Sequence, residues 1–237
     1  MSKDSKKPAI DRPRGLLARP LEALMFLLPL IAFYEIGSWH AKERVIAFEF
    51  VWRFLELFGP VGALAPSLAV VVILLATHFA SRQPFRVRWP RVGLMYVEAA
   101  ALAVPLLVLV QLLSTGALAG GSGTGGGTLD QIALSLGAGI YEELVFRLVM
   151  ISLIVMVGVD LLRLDRGGVA VFAVLASSLF FAAHHHPPIG TDPFDAGTFA
   201  FRTAAGIYLA GVFWFRGYGP AAGCHAAYNI TIVVLGM

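Results

Sequence analysis

The feature that most constrains this chain is a succession of long apolar segments that carry few charges. A helix that crosses a bilayer needs about 20 mostly apolar residues, and six or seven segments qualify. They lie at roughly 18–38, 60–80, 92–117, 129–159, 168–186, 198–215 and 219–236. Composition agrees, because only 14% of the residues are charged, against roughly 25% in soluble domains. The sequence therefore predicts an all-α, polytopic membrane helix bundle of about seven to eight helices.

The remaining segments are short, and none is long enough for a separate soluble domain. Residues 1–17 form a basic tail, and the aromatic stretch 48–59 is predicted to lie in the membrane interface. The stretch GGSGTGGGT at 120–128 lacks the Lys-Ser/Thr pair of a phosphate-binding loop, which favours a flexible spacer. The single cysteine, Cys224, excludes an internal disulfide.

The distribution of Lys and Arg predicts the orientation in the membrane. Basic residues cluster in the tail, at 81–91, at 161–167 and at Arg216, whereas 120–128 and 185–198 carry none. Seven spans with a cytoplasmic N-terminus satisfy this alternation, except that Lys42, Arg44 and Arg53 do not fit it. The net charge of +3 suits anionic lipid headgroups better than nucleic acid, so no nucleic-acid partner is expected.

The stretch GAGIYEELVFRLVM at 137–150 places three ionisable residues inside an apolar segment. Each charge costs about 2.5–3.5 kcal/mol at the centre of a spanning helix. Glu143 and Arg147 are four residues apart, so they can pair on one helix face. Glu142 lies about 100° round the helix and can face a cavity, where burial would make its carboxylate a better base near neutral pH.

Two more polar clusters lie in apolar segments. SSLFFAAHHHPP at 177–188 contains His184, His185 and His186, and GCHAAYNITIVV at 223–234 places His225 and Asn229 on one helix face. Ionisable residues in spans are functional candidates, so the three helices predict one shared polar cavity. The structural alternatives are an ion pair that only holds helices together, an interfacial histidine cluster and a helix-packing hydrogen bond. Two other histidines at span ends, His40 and His78, are predicted to be interfacial.

Together these residues resemble a known family. EELVFR is similar to the EExxxR motif of the CAAX-protease and bacteriocin-processing family of intramembrane peptidases. FFAAHH resembles its second motif, a Phe followed four residues later by His, and HAAYN resembles its third, His-x-x-x-Asn. Order and approximate spacing agree over about 129–237. The resemblance implies that 129–237 form the catalytic core, and that 18–128 form the preceding membrane helices and the Gly-rich linker.

The resemblance also implies roles for these residues. Glu142 would activate water, assisted by His184 or His185, with Glu143 and Arg147 in support. His225 and Asn229 would stabilise the oxyanion. The second motif fits both Phe180 with His184 and Phe181 with His185; Ala182, at a position where the family often has Gly, favours the latter.

The implied substrate is a membrane-associated or prenylated-type peptide, and no cofactor is expected. The implied location is the inner membrane of a prokaryotic cell. The residues leave three alternatives open. Glu and His side chains could bind zinc in a metal-dependent protease, although HExxH is absent. A buried Glu–Arg–His relay could belong to a transporter, or the motifs could persist in a non-catalytic immunity-type protein.

The three motifs present a problem of depth. Straight spans would place His184 and His185 near the outer end of one helix and His225 near the cytoplasmic start of another. With a rise of about 1.5 Å per residue, these side chains would lie far apart. We therefore expect tilted, broken or re-entrant helices, or span boundaries that differ from those predicted.

Overall fold

The computed structural model describes residues 19–41, 55, 57–113 and 127–236, and these form helices and no strand. The helices are α1 Pro20–Ala41, α2 Gly59–Ala80, α3 Trp89–Leu113, α4 Thr128–Leu161, α5 Arg166–Ala183, α6 Ala196–Arg216 and α7 Tyr218–Leu235. The all-α bundle predicted from the sequence is therefore confirmed. The basic tail and most of the segments 48–59 and 120–128 lie outside the described residues, and so does the side chain of His40.

Six of these helices, α1 to α6, are long and apolar enough to cross a membrane. Their outer faces carry exposed apolar side chains, such as Leu94, Val97 and Leu112 on α3. An apolar outer face suits lipid, and helices satisfy their own backbone hydrogen bonds there. The chain is therefore a multi-pass integral membrane protein. Among the described helices, α7 alone does not reach that apolarity.

Short connections join α4 to α5, α5 to α6 and α6 to α7, and their sequences explain where the helices begin. Asp165 caps α5 by accepting a hydrogen bond from the Gly168 amide at 2.8 Å, and Asp195 caps α6 through the Thr198 amide at 2.7 Å. The latter bond lowers the pKa of Asp195, which keeps the cap ionised. Gly217 separates α6 from α7 at φ 100°, a conformation that favours glycine.

The last helix, α7, is the centre of the bundle and packs against α1, α3, α4 and α6. Small residues permit close approach: a Cβ built on Gly139 of α4 would lie 2.6–2.8 Å from the backbone and Cβ of Ala226 on α7. Small residues at helix contacts are typical of membrane packing. The close contact brings the middle of α4, which carries Glu142 and Glu143, against α7.

The backbone of α4 is wider than an α-helix over two stretches. It is π-helical at Leu144–Ile151, directly after Glu142 and Glu143, and again at Met156–Leu161. The Phe146 carbonyl in the first stretch accepts a hydrogen bond from the Ser177 hydroxyl of α5 at 2.8 Å. Single-turn π segments often lie at functional sites. Here the π segment carries Arg147, so it sets the direction of that side chain.

Helix lengths explain how Glu142 and His184 come to lie at one depth. Glu142 lies nineteen residues before the end of α4, and His184 lies eighteen residues after the start of α5. Since a short connection joins α4 to α5, nearly equal numbers of helical residues separate Glu142 and His184 from it. The histidines therefore lie near the end of α5 but level with the middle of the longer α4.

Candidate active site

The Glu143–Arg147 pair is completely buried, with both side chains 0% exposed. Arg147 Nη1 lies 3.1 Å from Glu143 Oε1. Arg147 Nη2 donates to the Gly206 carbonyl of α6 at 3.2 Å, and the guanidinium lies 4.4 Å from the ring centroid of Phe181 on α5. Arg147 therefore joins α4 to both α5 and α6.

His225 of α7 completes this group. Its Nδ1 lies 3.0 Å from Glu143 Oε1, the same oxygen that faces Arg147. A carboxylate beside an arginine is ionised and accepts hydrogen bonds, so His225 Nδ1 is the donor. Glu143 thus fixes the orientation of the imidazole, much as buried carboxylates orient histidines in other hydrolytic sites.

Glu142 lies between two histidines. Its Oε1 is 3.7 Å from His184 Nε2, and its Oε2 is 3.8 Å from His225 Nε2. Both distances are longer than a direct hydrogen bond. At such separations a water molecule can bridge the two groups. With 8% of its surface exposed, Glu142 is the least paired of the three buried charged residues on α4.

The tautomers follow from the partners of the rings. His184 Nδ1 lies 2.6 Å from the Phe181 carbonyl, and His185 Nδ1 lies 2.9 Å from the same oxygen. A carbonyl only accepts, so each Nδ1 carries the proton and each neutral ring presents an unprotonated Nε2. The Nε2 atoms of His184 and His225, which face Glu142, are therefore acceptors when the rings are neutral.

The other polar residues predicted near the site do not approach Glu142 as closely as His184 and His225 do. His185 is half-buried, and its ring centroid lies 3.9 Å from that of His184. His186 turns away, with its Nδ1 3.0 Å from the Asp192 carbonyl. Asn229 lies one turn beyond His225 on α7, is half-buried, and makes no side-chain hydrogen bond with the part of the chain that the structure describes.

Phe181 contacts more residues of the site than the sequence predicted. Its ring contacts Phe146, His184, His185 and His225 at centroid distances of 5.4–5.7 Å, besides lying under Arg147. Phe180 faces outward and is 55% exposed. The structure therefore distinguishes the two phenylalanines of FFAAHH, although His184 rather than His185 lies closest to Glu142.

Two other contributors were missed in the sequence. The Gly206 carbonyl binds Arg147, and a Cβ at Gly206 would meet Ser178 at 3.0 Å; a glycine among small residues gave no distinct signal. Next to Glu142, the Tyr141 hydroxyl lies 2.6 Å from the Ser67 hydroxyl, which in turn bonds the Glu35 carboxylate.

One subset of the site has the donors of a metal centre. Glu142, His184 and His185 each offer a ligand atom, and these atoms lie within 4.8 Å of one another. Two histidines and one carboxylate with an open position would suit zinc. Because His184 and His185 both use Nδ1 for the Phe181 carbonyl, Nε2 would be the ligand atom of each ring.

Fold and site together define a class: a multi-pass helical membrane protein with a carboxylate–histidine cluster enclosed among its helices. A family model described as type II CAAX prenyl endopeptidase Rce1-like matches residues 125–231. This part of the chain is therefore similar to that family of membrane proteases, which confirms the resemblance predicted from the three motifs. The match contains every site residue that the sequence predicted. No curated protein and no solved structure shows significant similarity to the chain.

Proposed function

We propose that this protein is an intramembrane endopeptidase in which Glu142 activates water to hydrolyse a peptide bond. The observation that carries the proposal is the position of the Glu142 carboxylate, between the Nε2 atoms of His184 and His225 at 3.7 and 3.8 Å. Similarity to a CAAX-type protease family supports peptide hydrolysis.

Geometry suggests how the water is held. A water between Glu142 and His184 would donate one hydrogen to the carboxylate and the other to His184 Nε2. Its oxygen lone pair would then face the substrate carbonyl carbon. As the oxygen bonds to that carbon, Glu142 takes a proton as general base and later delivers it to the amine nitrogen when the C–N bond breaks. The products are a carboxylic acid and an amine, with no covalent enzyme intermediate.

The developing oxyanion needs hydrogen-bond donors. His225 Nε2 becomes a donor once its ring is protonated, and the ionised Glu143, 3.0 Å from Nδ1, stabilises that charge. The Asn229 amide, one turn further along α7, is the second proposed donor. Because Arg147 pairs with Glu143, it acts through that residue and is a positioning group.

The proposed substrate is a membrane-associated peptide or protein, with a prenylated C-terminus as one candidate type. Such a substrate would approach from the lipid, where α3 to α6 present apolar outer faces. The proposed orientation has a cytoplasmic N-terminus in the inner membrane of a prokaryotic cell, since the basic segments 81–91 and 161–167 then face the cytoplasm.

Comparative proteomics of membrane peptides tests the proposal directly. Cells carrying the wild type, Glu142→Gln and Glu98→Gln would be compared. Glu98 is a suitable control because it pairs with Arg216 away from the site. We expect peptides produced in the wild type and in Glu98→Gln to disappear in Glu142→Gln, and their uncleaved precursors to accumulate. Cleavage that persists in Glu142→Gln would refute the role of Glu142 as base.

A metal-dependent version of the reaction is the second candidate, because Glu142, His184 and His185 form a possible three-ligand set. A bound metal would supply Lewis-acid activation of water. Elemental analysis of the purified protein, followed by exhaustive chelation, decides between the two versions. The metal-free proposal predicts full activity after chelation. Loss of activity that returns with zinc would replace it with the metal-dependent mechanism.

A further inference from the structure

A cavity of about 650 Å³ lies at the end of the bundle where α1 begins, α2 ends and α3 begins. Its polar lining consists of Arg19, Glu22, His78, Gln83, Arg86 and Arg88. None of these residues belongs to the candidate active site. The volume lies in the range of pockets that bind small molecules, and the lining is dominated by cationic side chains.

His78 is the buried polar group of this cavity. It is 1% exposed, and neither ring nitrogen has a hydrogen-bond partner among the described residues. Its ring packs on Phe85, with centroids 4.3 Å apart. Buried polar groups are nearly always hydrogen-bonded, and a ligand with polar atoms in this cavity would give the two ring nitrogens of His78 the partners that they lack among the described residues. The sequence predicted that His78 lies in the membrane interface.

The charges of the lining indicate an anionic ligand. Arg19 Nη1 lies 3.6 Å from Glu22 Oε2, so the charges of these two residues offset each other. Arg86 and Arg88 form no ion pair with the part of the chain that the structure describes, so the cavity keeps an excess of positive charge. Guanidinium groups present paired N–H donors that match phosphate oxygens. A phosphate is therefore the ligand group that this lining fits best.

The surroundings place the cavity at the depth of lipid headgroups. Phe79, Phe85 and Trp89 flank it in sequence and are 64%, 61% and 65% exposed, as expected of aromatic residues at a membrane boundary. Basic pockets between membrane helices on the cytoplasmic side bind phosphate headgroups. We propose that this cavity binds the phosphate-bearing headgroup of an anionic phospholipid.

Native mass spectrometry of the detergent-purified full-length chain tests this proposal. Phosphatidylglycerol, phosphatidylcholine and inorganic phosphate are titrated separately. We expect selective binding of phosphatidylglycerol, and a loss of about 30-fold in affinity for Arg86→Gln/Arg88→Gln, about fivefold per arginine. His78→Phe keeps the ring packing and should weaken binding by about tenfold. Arg86→Lys/Arg88→Lys keeps the charge but loses the paired guanidinium donors, so its affinity should lie between that of the wild type and that of Arg86→Gln/Arg88→Gln.

The matched control is Arg82→Gln/Arg163→Gln. Both arginines are exposed and lie outside the cavity, so this variant has the same net charge as Arg86→Gln/Arg88→Gln. Equal loss of binding in the two variants would mean that the lipid responds only to overall charge, and would overturn the proposal. Unchanged affinity in Arg86→Gln/Arg88→Gln would overturn it as well. Displacement of the lipid by millimolar inorganic phosphate would identify a site for free phosphate instead.

Discussion

Arg147 is completely enclosed, as Glu143 is, and only part of its guanidinium group forms hydrogen bonds with the described residues. It faces Glu143 and the Gly206 carbonyl, but its Nε and Nη1 form no hydrogen bond, nor does Glu143 Oε2, with the described residues. A buried pair with incomplete hydrogen bonding contributes little net stability. The pair holds Glu143 against His225, which the proposed mechanism requires and folding does not.

Arg147→Met should therefore destabilise the protein by about 3–5 kcal/mol, because Glu143 would remain as an unpaired buried charge. Adding Glu143→Gln should restore much of that stability while activity stays low. Thermal unfolding of the two variants in detergent, beside a peptide-cleavage assay, measures both effects. If the double variant is no more stable than Arg147→Met, the charge imbalance is not the cause.

The two adjacent histidines should differ in their effect on activity. His184 Nε2 lies 3.7 Å from Glu142, whereas the ring of His185 mainly packs on that of His184. We expect His184→Gln to lower kcat by about 10²–10⁴-fold and His185→Gln to have a much smaller effect. Single-turnover cleavage of a common substrate compares them. The reverse order would assign the motif histidine to His185.

At the scale of the elements, the contact between α4 and α7 determines whether the site exists. Glu142 and Glu143 come from α4, and His225 comes from α7, so their distances depend on how closely these helices approach. Gly139 sits at the point of closest approach, against Ala226. Sub-ångström changes there are transmitted directly to the 3.0 Å contact between His225 and Glu143.

Gly139→Ala should lower both stability and activity. Its Cβ would lie 2.6–2.8 Å from atoms of Ala226, and overpacking of this kind typically costs about 1–3 kcal/mol. Gly93→Ala is the control, because a Cβ on that α3 glycine has nothing within 4 Å; it should be neutral or slightly stabilising. Equal unfolding temperatures and cleavage rates in the two variants would contradict the proposed role of the contact.

For the whole molecule, the fold and the residues of the site were largely predictable, but their mutual distances were not. Spans follow from length and apolarity, and the Glu143–Arg147 pair follows from four-residue spacing within one helix. The His225–Glu143 contact joins residues 82 positions apart, and no local pattern contains it.

The arrangement of the whole molecule in the membrane can be tested by cysteine labelling. Cys224 is buried, so Cys224→Ala should give a functional background without reactive thiols. Introducing Arg163→Cys between α4 and α5, or Thr191→Cys between α5 and α6, places one thiol at each end of α5. With a cytoplasmic N-terminus, an impermeant maleimide should label Thr191→Cys in intact cells and Arg163→Cys only after lysis. The opposite pattern would reverse the proposed orientation.

The modest apolarity of α7 has a consequence for biogenesis. This helix carries His225 and Asn229, and it is not among the described helices that are apolar enough to enter a bilayer by composition alone. Its packing partners α1, α3, α4 and α6 all precede it in the chain and are made first by the ribosome. We expect α7 to be retained in the membrane by docking onto these partners. Because α7 carries His225 and Asn229, the proposed proteolytic site would be complete only after α7 has docked. Chains that are incompletely inserted would therefore stay inactive.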